Sequence, residues 1–188
     1  MIKVTRVPLI VVVVVALAVS AVAVVGAKSF QTGKPSEGKL LKIEGQVSVN
    51  GTNAIAGATV FSDSTVTTAA RSSAVVSLGK LGRVEVLPES TMKLNFSDSN
   101  VSVSMLEQGR VRLSSSSNVT TKVTTKDGEA IATGNQLNEF TVDTSCGNTF
   151  VSVAKGRVEL RAGSTVKQIA AGNQDSAGQA RPSCTPAP

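Results

Sequence analysis

A chain of 188 residues with 19 Lys and Arg, 13 Asp and Glu, five Phe and no His, Trp or Tyr lacks the clustered bases and stacking aromatics of nucleic-acid binders. Setting aside Lys3 and Arg6 leaves 17 basic against 13 acidic side chains, about +4, which is mild and spread along the chain. Val, Thr, Ser, Gly and Ala dominate, a composition that suits pleated strands and tight turns rather than helices.

The first element is apolar. Met1–Arg6 is short and basic, and Val7 to Val25 then runs without a charge, Ser20 being its strongly polar side chain. As a helix these 19 residues would span roughly 29 Å, close to the hydrocarbon thickness of a bilayer. Pro8 sits in the first turn, where a missing N–H is tolerated. The reading is a signal anchor or transmembrane segment over 1–27, touching the membrane through 7–25, with Lys3 and Arg6 inside. The alternative is a cleaved leader: Val25-Gly26-Ala27 offers small residues for cleavage after Ala27, giving a secreted chain. In both cases the remainder is expected to lie outside the cytoplasm.

Residues 28–42 are polar, carry Gly33, Pro35 and Gly38, and read as a linker. From 43 to 172 short alternating runs are broken by turn residues at spacings near ten. Gln46–Asn50 alternates into Asn50-Gly51, a tight-turn signal. Further runs include Ala74–Leu78, Arg83–Leu87, Thr91–Phe96, Val101–Met105, Arg110–Leu113, Glu139–Asp143, Phe150–Val153 and Arg157–Arg161. The fold class is all-β, a solenoid-like or sandwich-like stack of short strands. Four runs share one form, glycine-polar-apolar-polar-apolar, led by Gly45, Gly82, Gly109 and Gly156. The glycine is expected to turn the chain and the strand to present two apolar side chains to one face. The tail, 173–188, is rich in Gly, Ser, Ala and Pro and reads as disordered.

The ordered set of these runs resembles the FecR-like domain of bacterial cell-envelope proteins. The residues that carry the resemblance are Gly45-Gln-Val-Ser-Val-Asn-Gly51, Gly57-Ala-Thr-Val60, Ser73-Ala-Val-Val-Ser-Leu78, Gly82-Arg-Val-Glu-Val-Leu-Pro-Glu-Ser-Thr-Met-Lys-Leu94, Leu106-Glu-Gln-Gly-Arg-Val111, Phe140-Thr-Val142 and Val151-Ser-Val-Ala-Lys-Gly-Arg-Val158. The resemblance implies an extracytoplasmic β domain and no catalytic residues. Type members relay an outer-membrane signal to a sigma factor through a cytoplasmic segment. Six residues before the apolar run are too few for that, so direct relay is not expected.

Candidate chemistry is sparse. Cys146 and Cys184, the two cysteines, are expected to pair in an oxidising compartment and pin the tail to the loop around Cys146. A cysteine nucleophile usually needs a histidine, and there is none. Arg83, Arg110, Arg112, Arg157 and Arg161 occupy outward positions of the glycine-led runs and are a candidate face for anionic ligands. Glu85 and Glu159, interleaved among them, favour an ordinary solvated face instead. Asp63, Asp98, Asp127, Glu139 and Asp143 lie near turns, in no metal-binding spacing. No catalytic, cofactor or metal site is expected. The functional expectation is a non-enzymatic, membrane-anchored interaction or scaffold module of the envelope, its partner an envelope protein or cell-wall polymer. The alternative is a glycan- or peptidoglycan-binding module using the arginines.

Overall fold

The computed structural model describes residues 36–182 and Cys184. The expected membrane segment, 1–27, and the first part of the expected linker lie outside the described residues. Strands follow one another in chain order: β1 (Glu37–Glu44), β2 (Val47–Val49), β3 (Thr52–Asn53), β4 (Thr59–Phe61), β5 (Ser64–Thr68), β6 (Ser73–Ser77), β7 (Gly82–Val86), β8 (Ser90–Ser97) and β9 (Asn100–Met105). They continue as β10 (Arg110–Ser115), β11 (Thr120–Thr124), β12 (Glu129–Ala132), β13 (Asn138–Asp143), β14 (Thr149–Lys155), β15 (Arg157–Ala162), β16 (Thr165–Ala170) and β17 (Gln174–Ala177). One 3₁₀ turn, Gly79–Leu81, precedes β7. Among the described residues no helix is long and apolar enough to cross a membrane.

The strands form two sheets, a sandwich-like arrangement. An eight-stranded sheet runs β17-β14-β13-β10-β7-β6-β1-β4, and a nine-stranded sheet runs β16-β15-β12-β11-β9-β8-β5-β2-β3. The chain crosses back and forth between them and advances along both in nearly the same order. Pairing is antiparallel except between β9 and β11, which run parallel in register Asn100↔Thr120 to Ser104↔Thr124. Of the two expected forms, the sandwich is therefore the one observed. The advance along the sheets accounts for the solenoid-like look of the sequence, but antiparallel hairpins are not stacked parallel rungs.

The core lies between the sheets and is built from the alternation read in the sequence. In β8, Ser90, Met92, Leu94 and Phe96 are buried and the residues between them are less so. In β10, Val111, Leu113 and Ser115 point inward. Phe140, Leu40, Met92, Leu94, Leu113 and Leu160 are the largest fully buried side chains, and valines fill most of the rest. Each such Val or Leu contributes about 1.5–3 kcal/mol by leaving water, so a Val-rich core depends on many small contributions.

Two expected boundaries move. β1 begins at Glu37, inside the expected linker 28–42. Gly38 and Leu40 are buried there, and Leu40 is fully covered between β4 and β6. The alternation was obscured by a bulge between Leu40 and Lys42, which inserts a residue and breaks the period of two. At the other end, β17 lies inside the expected disordered tail 173–188 and pairs with β14, from Ser152↔Gln174 to Thr149↔Ala177. Its sequence, Gln-Asp-Ser-Ala, has no apolar alternation. Backbone bonds to β14 hold it, and those leave no hydrophobic signature.

The glycine-led motif has a sharper purpose than turning. At Gly45, Gly109 and Gly156 a β-carbon would meet Ser72 Oγ at 2.3 Å, Ser90 Cα and Oγ at 2.6 Å and Asn138 Oδ1 at 2.1 Å. In each case the next residue's N–H donates to that same side chain: Gln46 to Ser72 Oγ at 2.9 Å, Arg110 to Ser90 Oγ at 2.8 Å, Arg157 to Asn138 Oδ1 at 3.2 Å. Where the chain crosses between sheets, its backbone loses ladder partners. A polar side chain from another segment replaces them, and only glycine leaves it room.

Candidate functional site

The five arginines do not form one stripe. Arg83, Arg110 and Arg112 lie on the outer face of the eight-stranded sheet, on the adjacent strands β7 and β10. Arg157 and Arg161 lie on β15, in the other sheet. The charge on each face is mixed. Arg112 pairs across strands with Glu85 at 3.1 Å, Lys155 with Glu139 at 3.2 Å, and Arg161 with Glu159 along its own strand. That last guanidinium, with help from Gln168, holds the Glu159 carboxyl below its ordinary range. The antiparallel pairing explains the placement: consecutive hairpins alternate between sheets, so motif spacing along the chain does not become stacking in space.

Cys146 and Cys184 are joined by a disulfide, their Cα atoms 5.4 Å apart. Cys146 is buried, on the loop between β13 and β14. The bond draws the segment after β17 across that loop. Arg181 N–H donates to Cys146 O at 2.8 Å, and Cys184 N–H to Arg181 O at 3.2 Å. The Arg181 guanidinium donates to Ser145 O and to Gln108 Oε1, the latter at 3.2 Å.

Beneath this strap is a cleft of about 460 Å³. Three loops and the strap build its walls: Pro88 and Glu89 before β8, Gln108 to Arg110 entering β10, Asp143 at the end of β13 with Ser145 after it, and Arg181. The loops are fixed from below. Ser90 Oγ serves both Arg110 N–H and Arg110 O. Thr144 Oγ1 accepts from Gly109 N–H at 3.0 Å and donates back to Gly109 O at 3.1 Å. The buried Asp143 carboxylate accepts the Ser145 N–H at 2.7 Å and the Ser145 hydroxyl. Glu89 sits at φ 54, a left-handed conformation that presents its side chain from a tight turn. The cleft therefore offers fixed carbonyl, amide and carboxylate acceptors beside two guanidinium groups. A second polar cleft, about 390 Å³, lies between the β12–β13 loop and the outer face of β15, where Arg157 and Glu159 line it.

Among the described residues no group of three or more His, Cys, Asp and Glu is placed to hold a metal. Of the acidic residues singled out in the sequence, Asp63 pairs with Lys93 at 2.9 Å and Asp127 with Lys126 at 3.1 Å. Sequence reasoning named Arg110, Asp143 and the two cysteines but not Glu89, Gln108, Ser145 or Arg181, because four separate segments meet here. One signal was available: a disulfide to Cys146 must also bring residues just before Cys184 to the same loop.

No protein-family profile matches the chain, and no curated protein matches it in sequence. Among solved structures the chain is similar to two crystal structures of a protein from Parabacteroides distasonis described as a candidate anti-sigma factor, at 1.65 and 2.50 Å resolution. Each aligns with a TM-score of 0.50 at 18% identity, covering 58% of this chain and 52% of the other. The chain thus matches about half the length of those structures, and at this identity the likeness is one of fold.

Proposed function

We propose that this chain is a FecR-like, non-enzymatic interaction module of the bacterial cell envelope, anchored by its N-terminal apolar segment with the β domain outside the cytoplasm. The observation that carries the reading is the fold, a two-sheet domain similar to a protein described as a candidate anti-sigma factor. The apolar run over 7–25 and the paired cysteines, which persist in oxidising compartments, support the address. In this reading the domain displays a rigid β surface to an envelope protein.

A photo-crosslinking residue placed at Arg112, or separately at Leu137, in cells tests the reading. The expected outcome is one discrete crosslinked envelope protein from at least one position. Absence of any specific adduct, together with turnover of a glycan or peptide by the purified chain, overturns it. Address is tested separately: a C-terminal alkaline phosphatase fusion is expected to be active, and an inactive fusion places the domain in the cytoplasm.

The second reading is an anionic glycan or peptidoglycan surface, for which Arg83, Arg110 and Arg112 are the candidates. These share one face. Salt-sensitive binding to isolated cell-wall material, lost in the Arg110→Ala, Arg112→Ala double variant, is its expected signature. Binding that survives both changes removes it.

A further inference from the structure

We infer that the cleft beneath the disulfide strap is a recognition site for a guanidinium or ammonium group, and that Arg181 is its internal occupant. This inference concerns ligand chemistry and stands whether or not the domain is an envelope scaffold.

Three observations carry it. First, the Arg181 guanidinium is bound as a ligand would be, donating to a backbone carbonyl, Ser145 O, and to a side-chain amide oxygen, Gln108 Oε1. Its stem lies against Gly147, where a β-carbon would sit 3.3 Å from Arg181 Cγ. Planar groups with several donors suit this kind of acceptor set. Second, with Arg181 taken away, Glu89, Asp143 and Arg110 remain as the charged walls. Two acidic side chains then line the cleft against one basic one, so the emptied cleft favours a cation. Third, Arg181 reaches the site on a short covalent leash, three residues from the Cys184 that bonds Cys146. So short a tether gives an effective concentration in the millimolar range or above, enough to outcompete a weak free ligand.

The leash has a release. A dithiol reductant attacks the less buried Cys184 sulfur, and Cys146 leaves as a thiolate that takes up a proton. The reagent's second thiol then displaces Cys184, which is protonated in turn. The Sγ–Sγ bond has accepted two electrons and two protons, and the reagent ends as its own disulfide. Reduction thus removes the tether on the Cys184 side of Arg181, leaving the one from β17, and loosens its hold on the cleft against an arginine or amine from a partner.

The test uses the full-length chain and N-acetyl-argininamide as probe, with the uncharged N-acetyl-citrullinamide as control, read by calorimetry. Arg181→Ala, which keeps the disulfide, is expected to bind the arginine probe about 10-fold more tightly than the oxidised wild type. The citrulline analogue is expected to bind at least 10-fold more weakly. Wild type reduced with dithiothreitol, and Cys184→Ser, are expected to show part of that gain, since β17 still tethers Arg181. Equal affinity of Arg181→Ala and oxidised wild type for the arginine probe overturns the inference. So does binding of inorganic phosphate by Arg181→Ala in preference to the arginine probe. Should Cys184→Ser fail to fold, the Arg181→Ala result alone decides.

Discussion

Ser90 illustrates how much one small side chain holds. Its hydroxyl serves Pro88 O, Arg110 O and Arg110 N–H, tying the start of β8 to the start of β10 at the rim of the cleft. Ser90→Ala takes away the partner of the part-buried Arg110 N–H, while Arg110 O keeps the Leu87 N–H, and is expected to cost about 1 kcal/mol in urea denaturation. Gly109→Ala is expected to cost more, about 3 kcal/mol, because its β-carbon would press on the Ser90 main chain at 2.6 Å and its φ of 156 suits glycine. If Ser90→Gly restores the stability of Gly109→Ala, side-chain crowding dominates; if not, the backbone contact does. The sequence showed that these glycines matter. It did not show why, because the partner side chains lie 19 to 26 residues away with no fixed spacing.

Among elements, β16 and β17 show how an open sheet end is kept from pairing with other chains. β16 is the edge of the nine-stranded sheet. Lys167 sits between Val166 and Gln168, on the same side as the buried Ile169, and bonds Asp175 at 2.7 Å and Ser176 O at 2.9 Å from β17. An inward charge on an edge strand discourages edge-to-edge association. Lys167→Val is therefore expected to increase self-association in sedimentation experiments. The same pair makes the clasp pH-dependent. The Lys167 ammonium, with the Ser176 N–H, holds the Asp175 carboxyl below its ordinary value. Because the folded pKa is the lower one, this contribution is full above about pH 3.9 and fades as pH falls through the folded value. Amide protection in β17 should drop over that acid range in the wild type, and Lys167→Met should weaken the dependence, leaving the part due to the Ser176 N–H. β1 is a clearer case of burial: Leu40 is fully covered, so Leu40→Ala is expected to cost about 2–5 kcal/mol, although Leu40 lies in a stretch that reads as a linker.

At the scale of the molecule, the all-β class and the alternating core were legible because burial follows a period of two in β5 to β15. The ends were not, since a bulge broke the period in β1 and β17 carries no apolar pattern at all. The site was half legible. Arg110, Asp143, Cys146 and Cys184 stood out as residue types, while their convergence with Glu89 and Arg181 depends on which hairpin goes to which sheet. The disulfide closes a segment with sequence separation 38, worth about 4 kcal/mol in the chain-entropy model. Cys184→Ser is expected to lower the melting temperature by ~10 °C, and reduced wild type should match it.

The same bond decides how the domain carries tension. Covalent linkage between Cys146 and Cys184 means that a pull applied beyond Cys184 enters the chain at Cys146, on the loop after β13. The strands β14 to β17 lie inside the closed loop and stay slack. A pull from the other end enters at Glu37 and runs along β1, which is bonded to β4 and β6 on its two sides. Oxidised, the domain bears load from β1 to β13 only; reduced, it would bear it through β17 as well and lengthen by the hidden loop when the strands yield.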